Sequence, residues 1–260
     1  MSNAERSYII LVDISNISSK LGGFSLNIKA FNLTAGGLTA IAGNNGSGKS
    51  TFLGVLSGLY SYKGQYLIDG QEFVRHKRRE ISKKIGILPQ TTSLNMPFDV
   101  FYVVLTGRFS HSDGRQYCAS DIEKTEAIML DFDIYHLKDR QFNELSGGEK
   151  QRALLCRVIN MDTDIILLDE PFSGVDINHQ AGVIKILDRL KEKKAIIVVI
   201  HDLSFAVNHF DRFIFFKDGS LLYDIKDHDL TNEVMSEVFG IDIEFIRLQN
   251  KKFIFLKDKK

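Results

Sequence analysis

The stretch GLTAIAGNNGSGKST, residues 37 to 51, constrains the fold more than any other part of the chain. An apolar run from Gly37 to Ala42 enters a turn that holds Gly43, Gly46 and Gly48. Apolar residues then recur at helical spacing from Thr51 to Leu59, with a stop at Gly58. A buried strand, a glycine loop and a helix, in that order, account for all three textures.

Two later runs repeat the apolar pattern. Ile165 to Leu168 is wholly apolar and closes on Asp169, Glu170 and Pro171, and Ala195 to Ile200 ends at His201. Such runs are buried on both faces, and the helical segment Gln180 to Lys193 separates them, so the fold is predicted to be α/β with a mostly parallel sheet covered by helices. Phe24 to Ile28 alternates apolar and polar residues, and Asp218-Gly219 joins Arg212–Lys217 to Ser220–Asp224 as a hairpin would. From Thr91 to Met161 the texture turns to polar helical segments, clearest at Asp121 to Leu130, which indicates an inserted helical subdomain. The expected organisation is one domain over residues 8–240 with that insert at about 91–161, and a C-terminal extension over 241–260 whose FIFL piece is expected to add an edge strand.

Charge narrows the functional classes. Lysine plus arginine equals aspartate plus glutamate at 33 each, so the excess positive field that nonspecific nucleic-acid binding needs is missing. The basic run RHKRRE at 75–80 contains its own acid and reads as a solvated helix or loop. No apolar stretch approaches the roughly 20 residues of a membrane span, and no signal-peptide pattern opens the sequence. Cys118 and Cys156 are too few and too far apart for a zinc site or a disulfide framework and suit a reducing compartment.

The residues of the glycine turn carry chemistry. GNNGSGKS fits the pattern G-x-x-x-x-G-K-[ST] between a predicted strand and a predicted helix. Glycines allow the backbone from Gly43 through Asn44, Asn45, Gly46, Ser47 and Gly48 to curl so that its N–H groups face a β-phosphate, helped by the helix N-terminus. Lys49 is expected to bridge β- and γ-phosphates and Ser50, followed by Thr51, to take a Mg2+ position. Asp169 stands at the carboxyl end of a strand, where open α/β sheets bind ligands. A magnesium ion is its natural partner, and Glu170 beside it suits a general base or an orienter of attacking water.

Six motifs in this order and spacing resemble the ATP-binding cassette (ABC) ATPases: GNNGSGKST, ILPQ at 87–90, LSGGEKQR at 145–152, IILLDE, SGVD at 173–176 and His201 in VIHD. The resemblance runs from about Ile9 to Gly240 and implies a P-loop NTPase (RecA-like) core with an antiparallel β subdomain and the helical insert. It implies ATP and Mg2+ as cofactors. It also implies that Ser146, Gly147 and Gly148 close over the γ-phosphate of ATP held by a second subunit, in a head-to-tail homodimer. A serine and two glycines before a helix suit an anion in any case, with Ser146 also capping the helix Glu149 to Val158. By the same resemblance Gln90 looks like the Q-loop residue that senses magnesium and the attacking water. Asp176 is similar to the D-loop aspartate that crosses the dimer interface, with Val175 in place of the usual leucine, and His201 resembles the switch histidine at the γ-phosphate. The aromatic that normally stacks on adenine is replaced by Leu21, with Phe24 nearby and a candidate for the core.

VDINHQ at 175–180 and VLTGRFSH at 104–111 resemble stretches of the ATPases of siderophore, haem and cobalamin importers. Ser110 departs from that pattern's proline and Phe98-Asp99 from its Thr-Val. The implied role is the energising subunit of such an importer on the cytoplasmic face of the inner membrane. Transmembrane permease subunits would dock near Thr91 to His111, and a substrate-binding protein would complete the system, with no nucleic acid involved. The alternatives are a soluble ABC ATPase acting on nucleic acid or ribosomes, and a transporter ATPase for another cargo such as zinc, manganese or an exported lipid.

Overall fold

The computed structural model describes residues 10–90, 97–112, 116–249 and 251–256. Its strands are β1 (Ile10–Leu21), β2 (Phe24–Thr34), β3 (Gly37–Ala42), β4 (Lys63–Ile68), β5 (Gln71–Glu72), β6 (Ile85–Leu88), β7 (Ile165–Asp169), β8 (Ala195–Val199), β9 (Arg212–Lys217), β10 (Ser220–Lys226), β11 (Ile243–Leu248) and β12 (Lys251–Leu256). Its α-helices are α1 (Lys49–Leu56), α2 (Arg78–Lys84), α3 (Val100–Leu105), α4 (Ala119–Asp131), α5 (Gly147–Asn160), α6 (Ile177–Leu190), α7 (Leu203–His209) and α8 (Asn232–Phe239).

Ten strands form one sheet in the order β5-β4-β1-β2-β10-β9-β3-β8-β7-β6. One half is parallel: β3 lies between β8 and β9, and β7 joins β8 to β6. The other half is antiparallel, through β1–β2, β1–β4 and β4–β5. The halves meet where the β9–β10 hairpin reaches β2 through the single pair Ser220–Asn27.

Period-two geometry divides each apolar run between two cores. Ile166, Leu168, Ile196, Val198, Phe213 and Phe215 face the core that includes α5, α6 and α7. Ile165, Leu167, Ile197, Val199, Ile214 and Phe216 face the opposite core, where α1 packs with Phe52 and Leu53 and the antiparallel strands add Ile14, Leu26 and Tyr66. Both faces of β7 and β8 are buried, which is why those sequences show no polar alternation.

Between β6 and β7, α3, α4 and α5 are tied by a buried polar network. Arg108 donates to Asp121 (3.0 Å) and to the Asn160 carbonyl (3.0 Å), while Asn160 donates to the Val104 carbonyl (3.0 Å) and to Thr125 (2.9 Å). The four bonds join residues of α4 and α5 to the segment 104–108, so the network ties the three helices together. Part of the expected docking segment, residues 91–96, lies outside the described residues, as do residues 8 and 9 at the expected domain start.

The C-terminal extension departs from expectation. Among the described residues FIFL does not join an edge of the main sheet, and β11 and β12 pair only with each other. Their outer edges are taken by side chains instead: Asn208 of α7 bonds both the carbonyl and the N–H of Lys252 (2.8 and 2.9 Å), and Asn232 and Ser236 accept from the N–H groups of Phe245 and Ile243 (2.7 and 3.0 Å). Helix side chains thus supply bonds that a neighbouring strand would otherwise make. The basic run lies over the start of α2, and Arg75, Lys77, Arg78 and Arg79 are exposed there, as the solvated reading requires.

Candidate functional site

β3 delivers the chain into the glycine turn, where Gly43, Gly46 and Gly48 have φ of 145°, 75° and 108°, angles that L side chains seldom adopt. A Cβ at Gly43 would stand 2.2 Å from the Phe216 carbonyl oxygen, so that position admits only glycine. The turn is held against the β9–β10 hairpin by Gly219 N–H donating to the Ser47 carbonyl (3.0 Å). No side chain caps the start of α1, which leaves its first N–H groups available to an anion. Lys49 curls back over the turn and donates to the carbonyls of Gly43 (2.9 Å) and Asn44 (3.0 Å). Burial lowers its pKa, opposed by the charges of Glu170 and Asp169.

Asp169 ends β7 at 4 % exposure, and its Oδ1 has no hydrogen-bond partner among the described residues. Burial raises its pKa against the hydrogen bond it receives from Ser50. A buried carboxylate oxygen without a partner costs free energy unless a cation or donor meets it.

Glu170 follows in the left-handed region at φ 51°, a strained conformation for a residue with a side chain. Its Oε1 accepts from Gln90 Nε2 and sits opposite His201 Nε2, both at 2.7 Å. Three residues that follow three separate strands, β6, β7 and β8, are therefore joined at one oxygen of Glu170. They line a cleft of about 630 Å³ over the glycine turn, together with Asn45, Gly46, Gly48, Lys49, Ser50 and Thr51. Leu21 and Phe24 line the same cleft. Phe24 is half-buried with its ring against Gly48, so it serves both wall and cleft.

Ser146, Gly147, Gly148 and Asp176 do not line this cleft. Ser146 caps α5 as expected and forms a capping box with Glu149, whose carboxylate accepts from the Ser146 hydroxyl (2.7 Å) and N–H (2.8 Å). Those two bonds hold the Glu149 pKa down. Ser146 and Gly147 are exposed, and among the described residues no side chain approaches the Cβ direction of Gly147. Asp176 caps α6 by accepting from His179 N–H (3.1 Å), the first cause of its lowered pKa.

A family model described as ABC transporter matches residues 26–173. The chain belongs to the ABC transporter family.

Its relatives include the petrobactin import ATP-binding protein YclP of Bacillus subtilis, 32% identical over 93% of this chain and 98% of that one. The hemin import ATP-binding protein HmuV of Rhizobium leguminosarum is 34% identical over 90% of this chain and 92% of its own length. Among solved structures, a metal-chelate type ABC transporter in an inward-facing conformation aligns with TM-score 0.77 over 96% of this chain and 97% of that chain, at 24% identity, which supports the fold. A dimeric ATP-binding cassette in a post-hydrolysis state with ADP and phosphate aligns with TM-score 0.73 at 26% identity, over 84% of this chain and all of that one. The chain is accordingly an ABC ATPase that binds ATP.

Sequence reasoning missed Gln151. Its Nε2 donates to the Glu170 carbonyl (3.4 Å), linking the signature helix to the strained residue. The available signal was its place one turn after Gly147 on α5, on the face that begins with the signature.

Proposed function

We propose that this ABC ATPase powers an importer for an iron chelate, haem or cobalamin by closing head-to-tail on a second copy around two ATP molecules. The observation that carries this reading is the division of the site. Lys49, Ser50, Gln90, Glu170 and His201 share one cleft, while the SGG turn at 146–148, with Ser146 and Gly147 exposed, lies outside it. A phosphate held by one copy would meet the partner's signature turn, whose N–H groups and helix dipole suit an anion.

Within the cleft, the N–H groups of 43–48 and the Lys49 ammonium would hold the phosphates of ATP. The residues fit Mg2+: Asp169 offers an unpartnered buried oxygen next to the Ser50 hydroxyl, and Gln90 reaches the same region. One carboxylate with one hydroxyl is the sparse protein share that magnesium takes beside phosphate oxygens. When bound, the ion would neutralise charge on the phosphate oxygens. Glu170 would accept a proton from the attacking water or orient it, with Gln90 and His201 fixing its Oε1.

No helix among the described residues is long and apolar enough to cross a membrane. Permease subunits would supply the pathway, with this chain docked peripherally on the cytoplasmic face and a substrate-binding protein delivering cargo. The expected docking segment supports that role with Phe98, Tyr102 and Phe109 exposed at 39 %, 40 % and 65 %. The import roles printed for the petrobactin and hemin relatives support the cargo class.

The test is co-expression with the permease subunits of an iron-chelate, haem or cobalamin importer and its substrate-binding protein. Co-purification from detergent-solubilised membranes and ATPase activity stimulated by chelated iron, haem or cobalamin is the expected result. Recovery only in the membrane-free supernatant would favour a soluble ATPase.

A further inference from the structure

α6 begins one residue after Asp176, and its third residue is a histidine with two different carboxylates to hand. His179 Nδ1 lies 2.5 Å from Asp176 Oδ2, while its Nε2 lies 3.8 Å from Asp133 Oδ2. Asp176 belongs to the loop after Glu170; Asp133 belongs to the helical insert, at the end of α4. The ring is 31 % exposed, so it is screened from bulk water without being sealed from it.

Two further observations concern this contact. Asp133 occupies the left-handed position after α4 (φ 51°) that usually goes to glycine. The turn closes there with Asp133 N–H on the Leu130 carbonyl (3.1 Å) and Ile134 N–H on the Met129 carbonyl (3.0 Å). A side chain in that place is strained, yet here it presents a carboxylate to α6. Two residues earlier, Asp131 accepts from Arg189 of the same helix at 2.7 Å. The turn from 131 to 133 is therefore joined to α6 at both ends of the helix, and only the His179 end continues into the loop that carries Asp176.

We infer that His179 is a positioning residue for ATP turnover: its ring fixes the Asp176 carboxylate and ties that loop to the helical insert, so that insert and loop move together. The inference rests on the proposed role of Asp176 at the dimer interface. Chemistry favours the arrangement. With Oδ2 of Asp176 accepting, Nδ1 donates, and Nε2 on the other side of the ring faces the Asp133 carboxylate. The helix cap itself does not depend on the ring, because Oδ1 is bound by the His179 backbone N–H. Removing the ring therefore leaves α6 capped and frees the carboxylate.

Steady-state ATPase kinetics of the full chain, with ATP as the varied substrate, test this through His179→Ala, His179→Asn, Asp133→Asn and Asp176→Ala. His179→Ala should lower kcat about tenfold with KM for ATP within about twofold, and leave the melting temperature nearly unchanged. His179→Asn, whose amide nitrogen can stand near Nδ1, should restore at least half of the lost kcat. Asp133→Asn should lower kcat about threefold, again without moving KM. Wild-type kcat in His179→Ala beside a slow Asp176→Ala would overturn the inference and leave the dimer reading in place. Equal rates for the alanine and asparagine variants at His179, or wild-type kcat in Asp133→Asn, would also overturn it. Wild-type kcat in Asp176→Ala would remove the interface role on which it rests.

Discussion

His201 Nε2 and Gln90 Nε2 each lie 2.7 Å from the same oxygen of Glu170, Oε1. The carboxylate is pinned from two sides by residues that arrive from different strands. Glu170→Gln removes the carboxylate of this cluster, the group proposed to take a proton from water. Turnover should fall about a hundredfold or more, while ATP affinity, carried by the glycine turn and Lys49, stays within a few fold. Single-turnover hydrolysis and nucleotide titration check both halves; unchanged hydrolysis refutes the role.

Asp169 is buried with an oxygen that has no hydrogen-bond partner among the described residues, and its pKa is raised. A carboxyl whose folded pKa lies above its ordinary value of 3.8 opposes folding once ionised. Stability is fully retained below that ordinary value and is lost as pH rises through the folded pKa. Without magnesium or nucleotide, Asp169→Asn should melt about 2–4 °C higher than wild type at pH 7, and the gap should close near pH 3.5. The same variant should lose the stabilisation that magnesium and ATP give the wild type. Thermal melts across pH, with and without both ligands, measure all three, and a lower melting temperature at pH 7 contradicts the account.

Gly43→Ala would place a Cβ 2.2 Å from the Phe216 carbonyl at a φ of 145°. Backbone strain of about 1–3 kcal/mol follows, and the turn must move off the β9–β10 hairpin to relieve it. ATP affinity should drop at least about tenfold, as read by titration with a fluorescent ATP analogue. Wild-type affinity would show that the turn does not hold the phosphates.

Ser146 is exposed and caps α5. Ser146→Arg should cost about 1 kcal/mol of stability through the lost cap and leave ATP binding by the isolated chain intact, because the residue lies outside the cleft. Hydrolysis should be abolished, since the bulky cation would occupy the face offered to a second copy. Loss of monomer ATP affinity would place the signature in its own chain's site and contradict the head-to-tail reading.

Strands buried on both faces were legible because apolar runs such as IILLD need no partner to reveal them, and the P-loop because its spacing is itself the mechanism. The helix after Ser146 was legible from its cap and the pattern that follows. Other features depend on residues distant in sequence. FIFL shows strand propensity, but its place in a separate hairpin depends on Asn208 and Asn232 filling the edges. Phe24 alternates like any core residue, and only the close approach of Gly48 puts its ring in the cleft wall. The contact of His179 with Asp133 likewise needs the turn after α4 to come back onto α6.

The composite site is tested most directly by sedimentation of Glu170→Gln with saturating ATP and magnesium. The account predicts a species of about twice the 29.5 kDa chain mass that returns to monomer when ATP is withdrawn. A monomer at saturating ATP and tens of micromolar protein would contradict it.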